Sequence, residues 1–310
     1  MKALVGYTGF VGSNICQAAG EELRALYHSK NIQEAYGTSP ELLIYSGVRA
    51  EKYLANHSPE QDMALIRTAE DNIARIQPKK LVLISTIDVF KVPKDVDETT
   101  PIDTDQLQTY GYDRYQLEVW VREHYPDALI VRLPGLFGDN IKKNFIYDYI
   151  QYIPYMLRAE KLQELTERDH TIPDYYEDQG NGFYRVKTLS AEENERLKLV
   201  FEQVGFSALN FTDSRSRYQF YNLRHLWKDI NLALKADIRL LHLATEPVTA
   251  AEVYHYLSGK VFQNTLEGAP ASYDYKTVYS DVFHGKDGYI STKEDVLRQI
   301  KAFVEEKIGK

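Results

Sequence analysis

The chain has one cysteine, Cys16, in 310 residues. No internal disulfide can form, and its place in a helical stretch marks it as a small buried packing residue rather than a nucleophile. Basic residues are outnumbered, 37 Lys and Arg against 45 Asp and Glu, for a formal net charge of −8. That balance argues against nucleic acid or an anionic membrane surface as partner, since both are drawn by basic patches. No apolar run is long enough to span a bilayer, and Met1 leads into a strand-like segment with no signal peptide, so the cytoplasm is the default location. The eight histidines lack metal-ligand spacing, and no Gly-x-Ser-x-Gly elbow occurs. Neither a metalloenzyme nor a serine hydrolase is indicated.

What is present begins at the first residues. Lys2-Ala3-Leu4-Val5 reads as a strand, runs into Gly6-Tyr7-Thr8-Gly9-Phe10-Val11-Gly12, and continues as an amphipathic stretch from Ser13 to Leu23. Glycines three apart at a strand-to-helix turn let the backbone bend tightly, approach a pyrophosphate and pack the helix on its strand. The helix N-terminus offers free N–H groups to the phosphates. Gly6, Thr8, Gly9, Phe10, Val11 and Gly12 are therefore candidate dinucleotide contacts, with the spacing Gly-x-x-Gly-x-x-Gly rather than Gly-x-Gly-x-x-Gly.

Strands and helices then alternate, which points to an α/β domain with a mostly parallel sheet. Glu41 to Tyr45, Lys80 to Ser85, Ala128 to Leu133 and Arg239 to Thr245 read as buried strands. Ser58-Pro59-Glu60-Gln61 predicts a capped helix start with Leu65, Ala69, Ile73 and Ile76 on one face. A second helix covers roughly Gln108 to His124 with Tyr110, Arg114, Leu117 and Val121 on one stripe. Capping signals at Ser190-x-x-Glu193, Thr249-x-x-Glu252 and Ser291-x-x-Glu294 start three more. Between the second strand, ending near His28 to Lys30, and the strand at Glu41 there is too little chain for a helix, a strand and a second helix. The sheet is expected to be abbreviated there. Beyond Asn140 a Tyr-rich, charged stretch runs to about Arg217 and includes the turn-like Asp178-Gln179-Gly180-Asn181-Gly182.

Three further segments carry a resemblance. Ser85-Thr86-Ile87-Asp88-Val89-Phe90 ends a strand with a hydroxyl pair, Tyr110-Gly111-Tyr112-Asp113-Arg114 puts a phenol and a cation one helical turn apart, and Arg132-Leu133-Pro134-Gly135 closes the next strand. In this order they resemble the extended short-chain dehydrogenase/reductase family of NAD(P)-dependent sugar epimerases, dehydratases and reductases. The resemblance covers about the first 140 residues well, continues loosely through Tyr221 to Leu234 and Leu240 to Tyr254, and is essentially absent from the stretch between. It implies a doubly wound, mostly parallel Rossmann sheet with a smaller, mainly helical substrate lobe. The NAD(P)-binding domain is expected over 1–140 plus about 221–246, the lobe over about 141–220 and 247–290, and a C-terminal helix over 291–310.

By the family pattern, Thr86 holds the substrate oxygen, Tyr110 is the general acid/base, and Arg114 stands where the family carries lysine, tuning the phenol and binding the nicotinamide ribose. Lowering a phenol from about 10 to about 7 takes roughly 4 kcal/mol, about what a unit charge at ~4 Å supplies at an effective dielectric near ~20. Geometry is the concern, because guanidinium and ammonium donate in different directions. Ser46, Gly47, Ser85, Leu133 and Pro134 are the remaining positions beside the cofactor. Asp88, Asn144 and Arg217 are the candidate substrate contacts. Ile87 precedes Asp88 where dehydratases use a second acid, and this counts against a dehydratase. Gly135 replaces the asparagine of many sugar-nucleotide epimerases and weakens the case for a diphosphate; Lys142, Lys143, Arg215 and Arg217 would supply the charge or are solvated surface.

The second strand ends in Tyr27-His28-Ser29-Lys30-Asn31 with no acid to bind the adenosine ribose. Ser29, Lys30 and Asn31 therefore tilt the reading from NAD slightly toward NADP. The expected substrate is a sugar-like hydroxyl or ketone, with reduction and epimerisation both open. Family members often pair through the two helices that include the Tyr-bearing one, so a homodimer is allowed. The competing reading is a catalytically silent NAD(P)-binding regulator or sensor, which the arginine replacement would permit.

Overall fold

Six short apolar runs become the strands of one sheet: Lys2–Val5 (β1), Ala25–Tyr27 (β2), Leu42–Tyr45 (β3), Leu81–Thr86 (β4), Leu129–Leu133 (β5) and the edge strand Leu240–His242. In this computed structural model, which describes residues 1 to 309, they lie in the order edge strand, β5, β4, β3, β1, β2. Every pairing is parallel. Alternate residues leave a strand on opposite faces, so both faces must be covered. Leu4, Ile44, Val82 and Val131 pack with Ile15 of the helix Phe10–Ala19 (α1) and with Leu226 and Ile230 of the helix Leu226–Lys235. Their neighbours Val5, Leu43, Leu83 and Ile130 pack with Ile66 and Ile73 of one helix and Leu117 and Val121 of another. These two are Pro59–Ile76 and Thr109–His124; the short helix Lys52–His57 (α2) precedes them, so they are α3 and α4.

The expected abbreviation is present. One turn of 3-10 helix, Ile32–Ala35, stands where a full crossover helix would be, and β1 lies between β2 and β3. The winding direction reverses at the carboxyl end of β1, where open α/β sheets bind ligands.

The chain divides into two compact units. The parallel sheet belongs to the first, made of Met1–Ile141, Arg217–Val248 and Ala271–Ile300, and the second holds Lys142–Ser216, Thr249–Pro270 and Lys301–Lys310. The second contains the helices Phe145–Gln151 (α5), Ala159–Arg168, Ala191–Val204 and Ala250–Ser258. Beside its helices it has an antiparallel sheet of Met156–Arg158, Phe183–Val186 and Tyr176–Asp178. Leu157, Leu165, Ile172, Leu197 and Phe201 form its core. Gly180 and Gly182 take φ of 71° and 81° in the turn joining two of its strands.

Several local expectations need correction. The Ser58 side chain makes no capping bond, although Pro59 does open α3. Ile66, not Leu65, is fully buried on that helix. Cys16 is half-buried. The last helix starts at Lys293, where Asp295 N–H donates to Thr292 Oγ1 at 3.2 Å, so the cap falls on Thr292 rather than Ser291. The boxes at Ser190 with Glu193 and Thr249 with Glu252 are formed as expected. β2 stops at Tyr27, before His28.

Candidate functional site

After Val5 the chain turns at once. Gly6 takes φ +93°, and a Cβ there would lie 2.5 Å from the Ser46 carbonyl oxygen; a Cβ on Gly12 would lie 2.1 Å from the Gly6 carbonyl oxygen. The packing of turn, helix and neighbouring strand itself demands these two glycines. Gly9 is different. It is exposed at the N-cap of α1, and the nearest atom to a Cβ there is the Gly6 carbonyl oxygen at 3.3 Å. A side chain at Gly9 would need the turn to give by only a few tenths of an ångström, far less than at Gly6 or Gly12, so its bareness suits approach by something from outside. Helix α1 has no acid in its first turn and no side-chain cap. Its first N–H groups, from Phe10 to Gly12, and its dipole thus favour an anion beside exposed Thr8.

At the end of β2, Asn31 Oδ1 accepts the His28 N–H at 2.8 Å and Asn31 Nδ2 donates to the Leu26 carbonyl at 3.2 Å. Asn31 thus braces its own loop, while Ser29 and Lys30 are exposed. Ser46 Oγ donates to the Val5 carbonyl at 2.9 Å. A Cβ on Gly47 would meet Val5 at 3.0 Å. Both residues shape the turn beside β1.

Ser85 and Thr86 are successive on β4 and diverge. Ser85 Oγ donates to buried Glu118 at 2.6 Å. Thr86 Oγ1 accepts the Asp88 N–H at 3.1 Å, in the turn that helix α4 approaches. Gly111 permits that approach, because a Cβ there would stand 2.1 Å from the Asp88 carbonyl oxygen. Helix α4 is therefore bedded on the turn after β4, with Tyr110 only 7% exposed. Burial raises the phenol pKa; Arg114 and Thr86 pull it down, Asp88 and Asp62 push it up, and burial prevails. The expected lowering by the cation is outweighed.

Arg114 is itself buried. Its guanidinium carbon lies 4.1 Å from the Tyr110 ring centroid. One Nη donates to Asp62 in a buried ion pair, and the other donates to the Arg49 carbonyl at 2.5 Å. Asp88 is held by Lys52 Nζ at 3.1 Å and accepts the Tyr273 hydroxyl at 3.2 Å. Neither Lys52 nor Tyr273 was legible as a site residue.

Leu133 closes β5 opposite Thr86, followed by Pro134. Arg217 faces Asp274 at 3.7 Å. Asn144 belongs to the second unit, where its Oδ1 accepts the Ile146 and Tyr147 N–H groups as the cap of α5. Arg215 is engaged with Asp213 at 2.7 Å. The structure thus brings Thr86, Asp88, Tyr110 and Arg114 together and gives Asn144 and Arg215 local partners.

A buried network behind β4 was also missed. Arg132 donates to Glu118 at 2.6 Å and to His242 Nε2 at 3.1 Å. Arginine only donates, so that nitrogen accepts and His242 Nδ1–H faces the Lys276 carbonyl at 3.1 Å. Burial, helped by Arg132, lowers the His242 pKa to about 3. The signal for this network was an arginine inside the apolar strand Leu129–Leu133. Among the described residues no cluster of three or more His, Cys, Asp or Glu could hold a metal, and no helix is long and apolar enough to cross a membrane.

No family model matches the sequence, and no curated protein matches it. Solved structures do match in shape. A dTDP-4-dehydrorhamnose reductase from Bacillus anthracis, in complex with NADP, superposes with a TM-score of 0.61 at 15% identity, covering 98% of this chain and 97% of that one. A short-chain dehydrogenase/reductase superfamily protein from Agrobacterium tumefaciens, with bound NAD, gives 0.60 at 13% identity over 100% and 98%. What these structures share with the chain is the fold, a parallel α/β sheet of Rossmann type. A UDP-galactose 4-epimerase shares it, with a TM-score of 0.61, 11% identity and coverage of 99% and 98%. At such identities the fold is the common ground.

Proposed function

We propose that the chain is an NAD(P)-dependent oxidoreductase or epimerase acting on a hydroxyl or ketone of a sugar or sugar nucleotide. The observation that carries this reading is the burial of Tyr110 against the turn after β4, where the bare Gly111 lets α4 approach the Asp88 carbonyl and the Arg114 guanidinium lies over the phenol ring. The glycine turn fits the cofactor. Gly9 would leave room for its pyrophosphate, Phe10, Val11 and Gly12 would meet its charge with N–H groups, and exposed Lys30 and Ser29 suit the extra phosphate of NADP. When bound, the nicotinamide accepts or supplies the hydride.

The chain's own part is to orient the substrate and handle its proton. Thr86 positions the substrate oxygen, and Tyr110 gives or takes the proton at that oxygen. Burial raises the phenol pKa, which keeps Tyr110 protonated and suits a proton donor, hence reduction of a ketone. Asp88, Lys52, Tyr273 and Arg217 offer polar groups to sugar hydroxyls. The nucleotide-sugar neighbours, a reductase of dTDP-4-dehydrorhamnose and an epimerase of UDP-galactose, supply the substrate class.

One observation favours a second reading. Both Arg114 Nη groups are engaged, by Asp62 and by the Arg49 carbonyl, which leaves less for a nicotinamide ribose than a lysine would and suits a catalytically silent dinucleotide sensor. Stopped-flow oxidation of NADPH and NADH against a panel of nucleotide-linked keto sugars decides between them. The enzyme reading requires turnover that Tyr110→Phe abolishes with cofactor affinity kept. Tight dinucleotide binding with no turnover selects the sensor.

A further inference from the structure

We propose that Asn56 is a positioning residue for Tyr110: from the short helix α2 it caps α4 and so fixes the backbone of the residue that carries the phenol. The inference rests on the acid/base reading of Tyr110 for its catalytic meaning, and on hydrogen-bond geometry for the cap itself.

The first N–H groups of a helix have no partner within it, and a side-chain oxygen of the N-cap residue normally accepts one of them. Gln108, the N-cap residue of α4, makes no such bond. Asn56 makes it instead. Its Oδ1 accepts the N–H of Tyr110, the second residue of α4, at 3.1 Å, and its Nδ2 donates to Gln108 Oε1 at 3.1 Å. Both ends of one amide are thus spent on the start of another helix, and asparagine is among the side chains best suited to that place.

Helix α2 is held by such contacts rather than by its own length. At six residues, Lys52–His57, it is too short to stand alone. Lys52, Ala55 and Asn56 are spaced i, i+3 and i+4 and share a face, on which Ala55 is fully buried. Tyr53 and His57 lie on a different face, exposed and stacked on each other with centroids 3.9 Å apart. The face with Asn56 turns to the site. Lys52 Nζ holds Asp88 at 3.1 Å, and just before the helix the Arg49 carbonyl accepts Arg114 at 2.5 Å. Over residues 49–56 the chain therefore reaches the cation, the acid and the phenol-bearing backbone of one site. Tyr110 stands in the first turn of α4, where helices fray, and Asn56 is what holds its N–H. Misplacing a reacting group by about 1 Å can cost about a hundredfold in rate, so a loosened first turn reads out as rate rather than as binding.

Amide hydrogen exchange by NMR on the intact, nitrogen-15-labelled chain tests the cap, and single-turnover reduction of a nucleotide-linked keto sugar by NADPH tests its purpose. Asn56→Ala removes both contacts and keeps a residue that suits a helix; Asn56→Asp keeps the acceptor. In Asn56→Ala the Tyr110 N–H should exchange about tenfold faster while that of Leu117, in the middle of α4, is unchanged, and the single-turnover rate should fall about tenfold with the affinities for cofactor and sugar held. Asn56→Asp should restore both. Equal acceleration at Tyr110 and Leu117 would assign Asn56 to overall stability, and unchanged exchange at Tyr110 would remove the cap; either overturns the proposal, as does a rate that stays low in Asn56→Asp once the Tyr110 N–H is protected again. A wild type that binds the dinucleotide but turns nothing over would remove the oxidoreductase reading and the catalytic purpose with it, and leave the exchange at Tyr110 to decide the cap.

Discussion

Arg114 lies over the Tyr110 ring, its guanidinium carbon 4.1 Å from the ring centroid and one helical turn further along α4. The stack works only because Asp62 holds the guanidinium from one side and the Arg49 carbonyl from another. Removing the cation by Arg114→Ala strands a buried carboxylate, and the expected loss is about 3–5 kcal/mol. Arg114→Lys keeps the charge but loses the fork that reaches Asp62 and the Arg49 carbonyl together, for an expected loss of about 1–2 kcal/mol. Urea denaturation orders the two; equal losses would mean that charge alone, not the fork, matters.

The glycine turn separates folding from binding. Gly12→Ala drives a Cβ to 2.1 Å from the Gly6 carbonyl oxygen and should cost about 2 kcal/mol or more, read as a lower melting temperature. Gly9→Val sets its Cβ 3.3 Å from the Gly6 carbonyl oxygen and replaces a favourable N-cap residue, so the melting temperature should fall by less than in Gly12→Ala while calorimetric affinity for NAD(P) drops. A Gly9 variant that binds as well as the wild type would remove the phosphate role of this turn.

How far these features were legible depends on the range of the interactions. The strands, the shortened passage after β2 and the Tyr110–Arg114–Leu117–Val121 stripe follow from local periodicity and loop length, and all are present. Leu65 and Ile66 were exchanged because one residue of helix rotates the face by about 100°. Asp62 and Arg114 are 52 positions apart, and no local pattern says that an acid and a base on different helices will meet. The same holds for Lys52 with Asp88. Asn144 was read toward a ligand, yet it caps α5, since a residue that favours caps looks identical in sequence whichever partner it takes.

The Glu118–Arg132 pair is fully enclosed, with Ser85, Arg122 and His242 as further partners. Glu118→Ala leaves Arg132 uncompensated, and an expected loss of about 3–5 kcal/mol follows. Replacing both by apolar residues of similar size, Glu118→Leu with Arg132→Met, should recover much of that loss, because neither desolvated charge remains. A double variant as unstable as the single one would show that the wider network, rather than the lone charge, governs stability.

Buried His242 and half-buried Asp148 should give opposite pH signatures. His242 is held down to about 3, first by burial and then by Arg132, below the ordinary value near 6.5. The unfolded chain therefore binds the extra proton first, and the stability this residue provides is full above about 6.5 and lost as pH falls toward 3. Asp148 is pushed up to about 7 by burial alone. Here the native state keeps the proton longer, so its contribution is present below the ordinary Asp range and lost as pH rises through about 7. Asp148→Asn removes the titration while keeping the size. Relative to wild type, this variant should gain in melting temperature from mildly acidic to mildly alkaline buffer, whereas His242→Gln should gain only as the buffer becomes acidic. Thermal melts of the three proteins across that range check both signs, and parallel curves for Asp148→Asn and wild type would show that the carboxyl ionises freely in the fold.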